Sequence, residues 1–370
     1  MALFKTLVKK VSISPEKKTK QKDYLPKGQL PIIDQGQQLI GGYSDNLDLQ
    51  LSCNLPVIVF GDHTRAVKYV DFPFGAGADG IKVLEPAEGI YPKFLYYATQ
   101  YLVLRLEDRG YARHYQYIER KELHIPSVPE QKHIVARIEE LFSELDNGVE
   151  TLRKTKQQLA VYRQAVLKDA FSGCGKQASV SSVCTHVTDG DHMPPPKAAS
   201  GIPFIMISNI DGNRIDFSDT AFVGRDYYEN IDSKRRPQVG DVLYSVTGSF
   251  GIPVLVDIEK EFCFQRHIAL LRPNDSILSR YLYYVMQAPD VYAQASKGAT
   301  GTAQKTVGLT VLRKILIPYT KDKTEQEQIV REVENKMSVC DSIEKTVDTA
   351  LQQAEAMRQS ILKQAFEGKL

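Results

Sequence analysis

The sequence predicts an α+β fold built twice: a mixed strand-and-helix module, a long helix, a second such module and a second long helix. Three observations predict it. Residues 130–173 and 325–368 repeat without a gap, 195 positions apart: Glu130-Gln131 matches Glu325-Gln326, Ile134-Val135 matches Ile329-Val330, Arg163-Gln164 matches Arg358-Gln359, and Ala170-Phe171 matches Ala365-Phe366. The stretches ahead of them repeat more faintly but in register. Ile81-Lys82-Val83-Leu84-Glu85-Pro86 precedes Ile268-Ala269-Leu270-Leu271-Arg272-Pro273 by 187 positions, as Phe94-Leu95-Tyr96-Tyr97 precedes Tyr281-Leu282-Tyr283-Tyr284. Third, an apolar residue recurs every seven positions in both long segments, the pattern of a coiled-coil seam. Internal repetition of this kind decides architecture before any motif does.

The elements follow in order. In the first module, residues 1–128, the apolar runs 57–60 and 81–84 are bounded by Gly, Asp or Pro and read as strands, and 94–106 reads as a helix. The central helix, 129–173, carries Ile138, Leu145, Leu152, Leu159 and Val166 on its seam, with Leu141 and Tyr162 between them. The second module, 174–323, repeats the strands at 242–245 and 268–271 and the helix at 281–287. The last helix, 324–370, carries Val333, Cys340, Val347, Ala354 and Ile361, with Ile343, Ala350 and Met357 between. Each helix is about 42 residues, or roughly 60 Å at ~1.5 Å per residue, with Gly173 and Gly368 at the expected stops. Two such helices leaving their modules in the same sense bury their seams most simply by pairing antiparallel, which gives an approximate twofold axis.

Composition narrows the function. The 370 residues carry a net charge of +2, so any polyanion binding has to come from local clusters. No stretch approaches the ~18 apolar residues of a membrane span, and no long apolar core follows Lys5, Lys9 and Lys10 as in a signal peptide. Cys53, Cys174, Cys184, Cys263 and Cys340 form no CxxC pair, which fits reduced thiols in a cytoplasm. Enzyme motifs fail one by one. Gly75-Ala76-Gly77-Ala78-Asp79-Gly80 spells GxGxxG, but a strand follows it where the dinucleotide fingerprint needs a helix. There is no Walker A loop, no Asn/Asp-Pro-Pro-aromatic motif and no Ser-His-Asp arrangement, and the seven histidines do not cluster at ligand spacing. The chain is expected to catalyse nothing and to bind no metal or cofactor.

What remains are polar loops at equivalent places. After the strand at 57–60 come His63, Thr64 and Arg65, with Lys68 close behind; after the strand at 242–245 come Ser245, Thr247 and Ser249. Residues 291–321 contain no acid, and include Lys297, Thr300, Thr302, Gln304 and Lys305; the first module places Arg109, Arg113, His114 and Tyr115 at the matching position. His192 and Arg266 complete the set, from Asp189-Gly190-Asp191-His192 and Gln265-Arg266-His267. Loops offering Arg, Lys, Thr and Gln can follow a phosphate backbone and hydrogen-bond base edges. Loops that differ between otherwise matching modules point to readout of different targets rather than to chemistry. The competing reading is a protein–protein adaptor built on a coiled coil that never touches DNA.

With the two Ile-Pro…Glu-Gln-x-x-Ile-Val junctions (125–135 and 317–330) and two helices ending Leu-Lys-x-Ala-Phe-x-Gly, the whole chain resembles a type I restriction–modification specificity subunit. The resemblance implies two target-recognition domains, each reading one half of a bipartite, asymmetric site on double-stranded DNA and held apart by an antiparallel coiled coil. It implies assembly with two modification (methyltransferase) subunits and with restriction subunits, and these partners would use S-adenosylmethionine, ATP and Mg2+. One departure stands out: the first module lacks the SxxG loop of the second, so its contacts must come from the His63 region and the Arg109–Tyr115 loop.

Overall fold

The computed structural model describes all residues except 79, 108, 109, 111, 193, 194 and 303, and only the backbone of residue 211. By its contacts the chain forms two compact units, Met1–Arg153 with Asp348–Leu370, and Lys154–Val347.

Unit 1 is organised on a four-stranded antiparallel sheet in the order Val8–Val11, Ile81–Pro86, Val57–Gly61, Val67–Val70. Side chains alternate across a strand. Ile58, Phe60 and Leu84 therefore face the helix Pro92–Leu104, packing with Leu95, Ala98, Tyr101 and Leu102. Val57, Val59 and Val83 face the other way, onto Ile33, Leu51, Phe74 and Ala76. Burial on both faces explains why these strands read as unbroken apolar runs rather than alternating ones. The second layer is a small sheet ordered Lys18–Thr19, Gly75–Gly77, Leu30–Ile33, Gly42–Ser44, with parallel pairing on both sides of Gly75–Gly77. Gly75 and Gly77, the first two glycines of the GxGxxG stretch, are thus strand residues. A Cβ on Gly77 would lie 2.6 Å from that of Asp34, so close strand packing, not a phosphate, requires them.

Unit 2 repeats the plan. Its main sheet runs Cys184–Asp189, Ile268–Pro273, Val242–Ser245, Pro253–Leu255, the same order of first, last, second and third strand. Val242, Tyr244, Ala269 and Leu271 pack on Tyr281, Leu282 and Val285 of the helix Ser279–Val285, while Leu243, Ile268 and Leu270 pack on Ile205, Val254 and Phe264. The second layer has three strands, Ala221–Val223, Ile202–Ile205 and Cys263–Phe264, here with a single parallel pair. A helix at Pro289–Gly298 was not anticipated, and it takes Lys297 out of the loop and into a last helical turn.

The long helices are Val128–Ser172 and Lys323–Phe366. In each unit they run antiparallel. Ile138 and Phe142 cluster with Ile361, Leu362 and Ala365 in unit 1, and Leu167 and Phe171 with Val330 and Val333 in unit 2. The repeat is visible in the ion pairs. Arg163 reaches Asp341 at 2.7 Å in unit 2, and the equivalent Arg358 reaches Asp146 in unit 1, its guanidinium 4.3 Å from the Phe142 ring centre. The heptad residues Ile138, Leu159, Val166, Val333, Cys340, Val347, Ala354 and Ile361 are buried as expected. Tyr162, Ile343 and Met357 are not: they are 51%, 40% and 54% exposed. Arg163, beside Tyr162, also meets Glu344 at 2.9 Å. Among the described residues no helix is long and apolar enough to cross a membrane, and all five cysteines are free thiols.

Candidate nucleic-acid interface

In unit 2 the loop after Val242–Ser245 is stitched to the distal loop by backbone bonds. Gly248 N donates to Lys305 O at 3.1 Å and Val307 N to Val246 O at 2.8 Å, while Thr300 and Thr306 exchange two bonds of 2.9 and 2.7 Å. The Thr247 and Thr306 hydroxyls meet at 3.3 Å. On the other side Val246 N donates to His267 O at 2.9 Å, and Arg266 N to Asp191 O at 3.2 Å. Residues scattered over more than a hundred positions thus enclose one cavity of about 410 Å³, lined by Asp189, His192, Thr247, Arg266, His267 and Gln304. The Asp189–His192 turn depends on its glycine, because a Cβ on Gly190 would sit 2.0 Å from Phe264 O. His192 Nε2 lies 2.9 Å from Asp189 Oδ2. Asp191 is held from behind by the Tyr227 hydroxyl and by Arg235 at 3.3 Å. Burial, then the bond to Asp191, pushes the Tyr227 hydroxyl well above its ordinary value, so it stays a donor.

Unit 1 laces the same two places with different groups. Asp62, 4% exposed, accepts from Tyr115 N at 2.8 Å through its carboxylate and from His114 N at 2.8 Å through its carbonyl, and Lys82 lies 3.6 Å away. His63 Nδ1 is 3.1 Å from Ala112 O, and Arg65 Nε donates to His114 Nε2 at 3.3 Å. Arg65 itself adopts φ 61°, a left-handed backbone that an L residue rarely takes. Asp62 was not among the candidates; its signal was an acid directly after an apolar strand, where a buried backbone amide needs an acceptor.

The candidates divide by exposure. Arg113, His192, Ser249, Arg266, Lys297, Thr300, Thr302, Gln304 and Lys305 are exposed, as is Thr64. Among the described residues Arg113, Arg266, Lys297 and Lys305 make no ion pair, leaving four cations open to a ligand. The structure corrects the surface reading of four others. Lys68 is 5% exposed and donates to Asp34 O at 2.8 Å; burial pulls its ammonium below the ordinary lysine value although Asp34 opposes the shift. Ser245 is fully buried, donating to Ser249 O and accepting from Ile252 N, each at 2.8 Å. His114 and Tyr115 are 1% and 3% exposed. All four sit where the strand-end loops are tied down, and shape them from within. Thr247 is nearly buried, and only its edge lines the cavity. Arg109 lies outside the described residues. Asp189 and His267, named in the sequence only as flanks of His192 and Arg266, are brought to the cavity themselves by the pairing of adjacent strand ends.

This arrangement, two equivalent sheets each presenting laced loops with open cations, belongs to a class of paired recognition modules on a helical scaffold. Residues 195–353 match a family model described as type I restriction modification DNA specificity domain. The chain is 27% identical over 275 residues to the type I restriction enzyme EcoKI specificity subunit of Escherichia coli strain K12, covering 66% of this chain and 57% of that one. It is 31% identical over 278 residues to the StySPI specificity subunit of Salmonella potsdam, with the same coverage. The matched region therefore spans a little over half the length of these relatives. A chain in a solved structure concerning complex assembly and conformational transition of the type I R-M system covers 100% of this chain and 97% of itself, with a TM-score of 0.70 at 16% identity, and shares the fold. By the family model over residues 195–353 and by these relatives, the chain is similar to type I restriction–modification specificity subunits.

Proposed function

We propose that this chain is the DNA-reading, non-catalytic specificity subunit of a type I restriction–modification complex. Each module reads one half of a bipartite, asymmetric site, and the paired helices set the gap between the halves. The observation that carries this reading is the unit 2 cavity, where Arg266, Gln304, Thr247, His192 and His267 converge from four separate segments beside the open Lys305. Arg and Gln supply the paired donors and acceptors that distinguish bases in the major groove, and unpaired Lys and Arg supply salt-dependent phosphate contacts. Unit 1 offers Arg113, Thr64 and His63 at the matching place. Modification and restriction subunits would be the partners, using S-adenosylmethionine, ATP and Mg2+ that this chain does not itself hold.

The test is a mobility-shift series over salt, with and without modification subunits, followed by mapping of the methylated adenines. The reading predicts a single interrupted, non-palindromic site. Exchanging residues 174–320 for another family member's equivalent should change one half of it and leave the other. DNA turnover by the chain alone, or an assembled complex whose binding ignores sequence, would defeat the reading.

A further inference from the structure

Each long helix begins on a buried amide. Gln131 and Gln326 occupy the same place in the repeat, and both are fully buried. Gln131 Oε1 accepts from Tyr91 N at 2.8 Å, and its Nε2 donates to Gly89 O and Pro126 O, both at 3.0 Å. Gln326 Oε1 accepts from Leu278 N at 2.8 Å, and its Nε2 donates to Ser276 O at 3.0 Å and Thr320 O at 2.8 Å. The orientation of the amide is fixed by its partners, since only oxygen can accept an N–H and only the NH2 group can face two carbonyls.

The three partners have the same meaning in both copies. Tyr91 and Leu278 are the N-cap residues of Pro92–Leu104 and Ser279–Val285, neither of which is capped by its own side chain. Gly89 and Ser276 lie in the turn entering that helix. Pro126 and Thr320 lie in the segment leading into the long helix, whose first turn includes the glutamine itself through Gln131 N to Ser127 O and Gln326 N to Asp322 O. One side chain thus joins the module's helix, the turn before it and the base of the long helix. No other residue type does this. Glutamate would turn a carboxylate on two carbonyls, asparagine is one methylene too short, and methionine keeps the shape but offers no bonds.

We infer that Gln131 and Gln326 are positioning residues that fix the pose of each module on its own long helix. On the functional reading above, they thereby set how strictly the gap between half-sites is enforced. Gln131→Met in the full chain should raise hydrogen exchange at the Tyr91 amide roughly tenfold, the worth of one lost bond at a buried site, and leave the Leu278 amide unchanged. Gln326→Met should do the reverse. Against duplexes whose gap is one base pair too long or too short, Gln131→Met should narrow the discrimination by a similar factor while half-site sequence preference stays as in the parent. Gln131→Glu, a harsher change, sets a buried carboxylate against the carbonyls of Gly89 and Pro126, so gap discrimination should narrow at least as far as in Gln131→Met.

Unchanged exchange in both methionine variants overturns the clamp. Faster exchange with unchanged gap discrimination overturns its positioning role. Should the parent chain bind DNA without sequence preference, the functional reading fails by itself, and the exchange experiment still decides whether the clamp exists.

Discussion

The strands Ile81–Pro86 and Ile268–Pro273 occupy the same place in the two units, yet carry opposite charges at the same position. Unit 2 has Arg272, which grips Asp241 with two bonds of 2.9 and 2.8 Å; Asp241 is 2% exposed and also accepts from Gln238 N. Unit 1 has Glu85, which accepts from Asn54 N at 2.8 Å and lies 3.8 Å from the exposed Lys9. The apolar faces on either side are the same in kind; the polar groups at their edges are not. A duplicated fold keeps its alternation of buried side chains and settles each remaining polar group locally. The reader loops show the same rule. Unit 1 ties its loop with the carboxylate of Asp62 and a strained Arg65, and unit 2 with hydroxyls and backbone bridges. Two loops held by different chemistry present different groups, and on the proposed function they would read two unlike half-sites.

Five substitutions probe this contrast. Asp241→Ala strands a mostly buried guanidinium and should cost about 3–5 kcal/mol, confined to unit 2; hydrogen exchange across Ile268–Pro273 should rise while Ile81–Pro86 keeps its protection. Equal loss of protection in both strands would mean the units do not hold their stability separately. Arg266→Ala should weaken discrimination by about 1–3 kcal/mol at one or two bases of a single half-site, read by binding to a panel of single-base variants. Lys305→Ala and Lys68→Met form a matched pair of lysine removals. The first should reduce the log–log salt slope of DNA binding by about 0.9 and the second should leave it unchanged, because Lys68 is already spent on Asp34. A smaller slope for Lys68→Met would return that residue to the interface. The smallest effect belongs to Glu85→Gln. It keeps the acceptor for Asn54 and gives up only a long pair to an exposed lysine, so chemical denaturation should register less than about 1 kcal/mol.

The duplication, the four central strands and both long helices were legible because each rests on repeated apolar spacing, which sequence records directly. The second layer of each unit was not. Leu30–Ile33 and Ile202–Ile205 are short, and each contains a proline, Pro31 or Pro203, that argues against a strand. Gly75 and Gly77 were weighed only as part of a dinucleotide motif, when their missing side chains are what lets Leu30–Ile33 approach. The candidate site was legible as a set of loops but not as contacts. Lys68 and Ser245 looked like surface groups, and nothing in a single sequence tells a lysine facing water from one facing the carbonyl of Asp34. The cavity of unit 2 could not be assembled in advance, since Asp189 and His267 meet only through the register of two strands far apart in the chain.

One feature of unit 1 bears on how the chain is made. Unit 2 is a single uninterrupted stretch, whereas unit 1 is closed by residues that follow it: Phe366 stacks on Tyr101 with ring centres 5.2 Å apart and lies equally near Phe94. Translation therefore delivers the finished parts in reverse. The module synthesised first waits with Tyr97 and Phe142 uncovered until the last helix emerges, while the module synthesised second already has everything it needs. A product that stops near residue 347 would carry a complete second unit beside an open apolar face on the first. Such a face is what chaperones and proteases recognise in unfinished chains, so a half-made reader announces itself before it can be put to use.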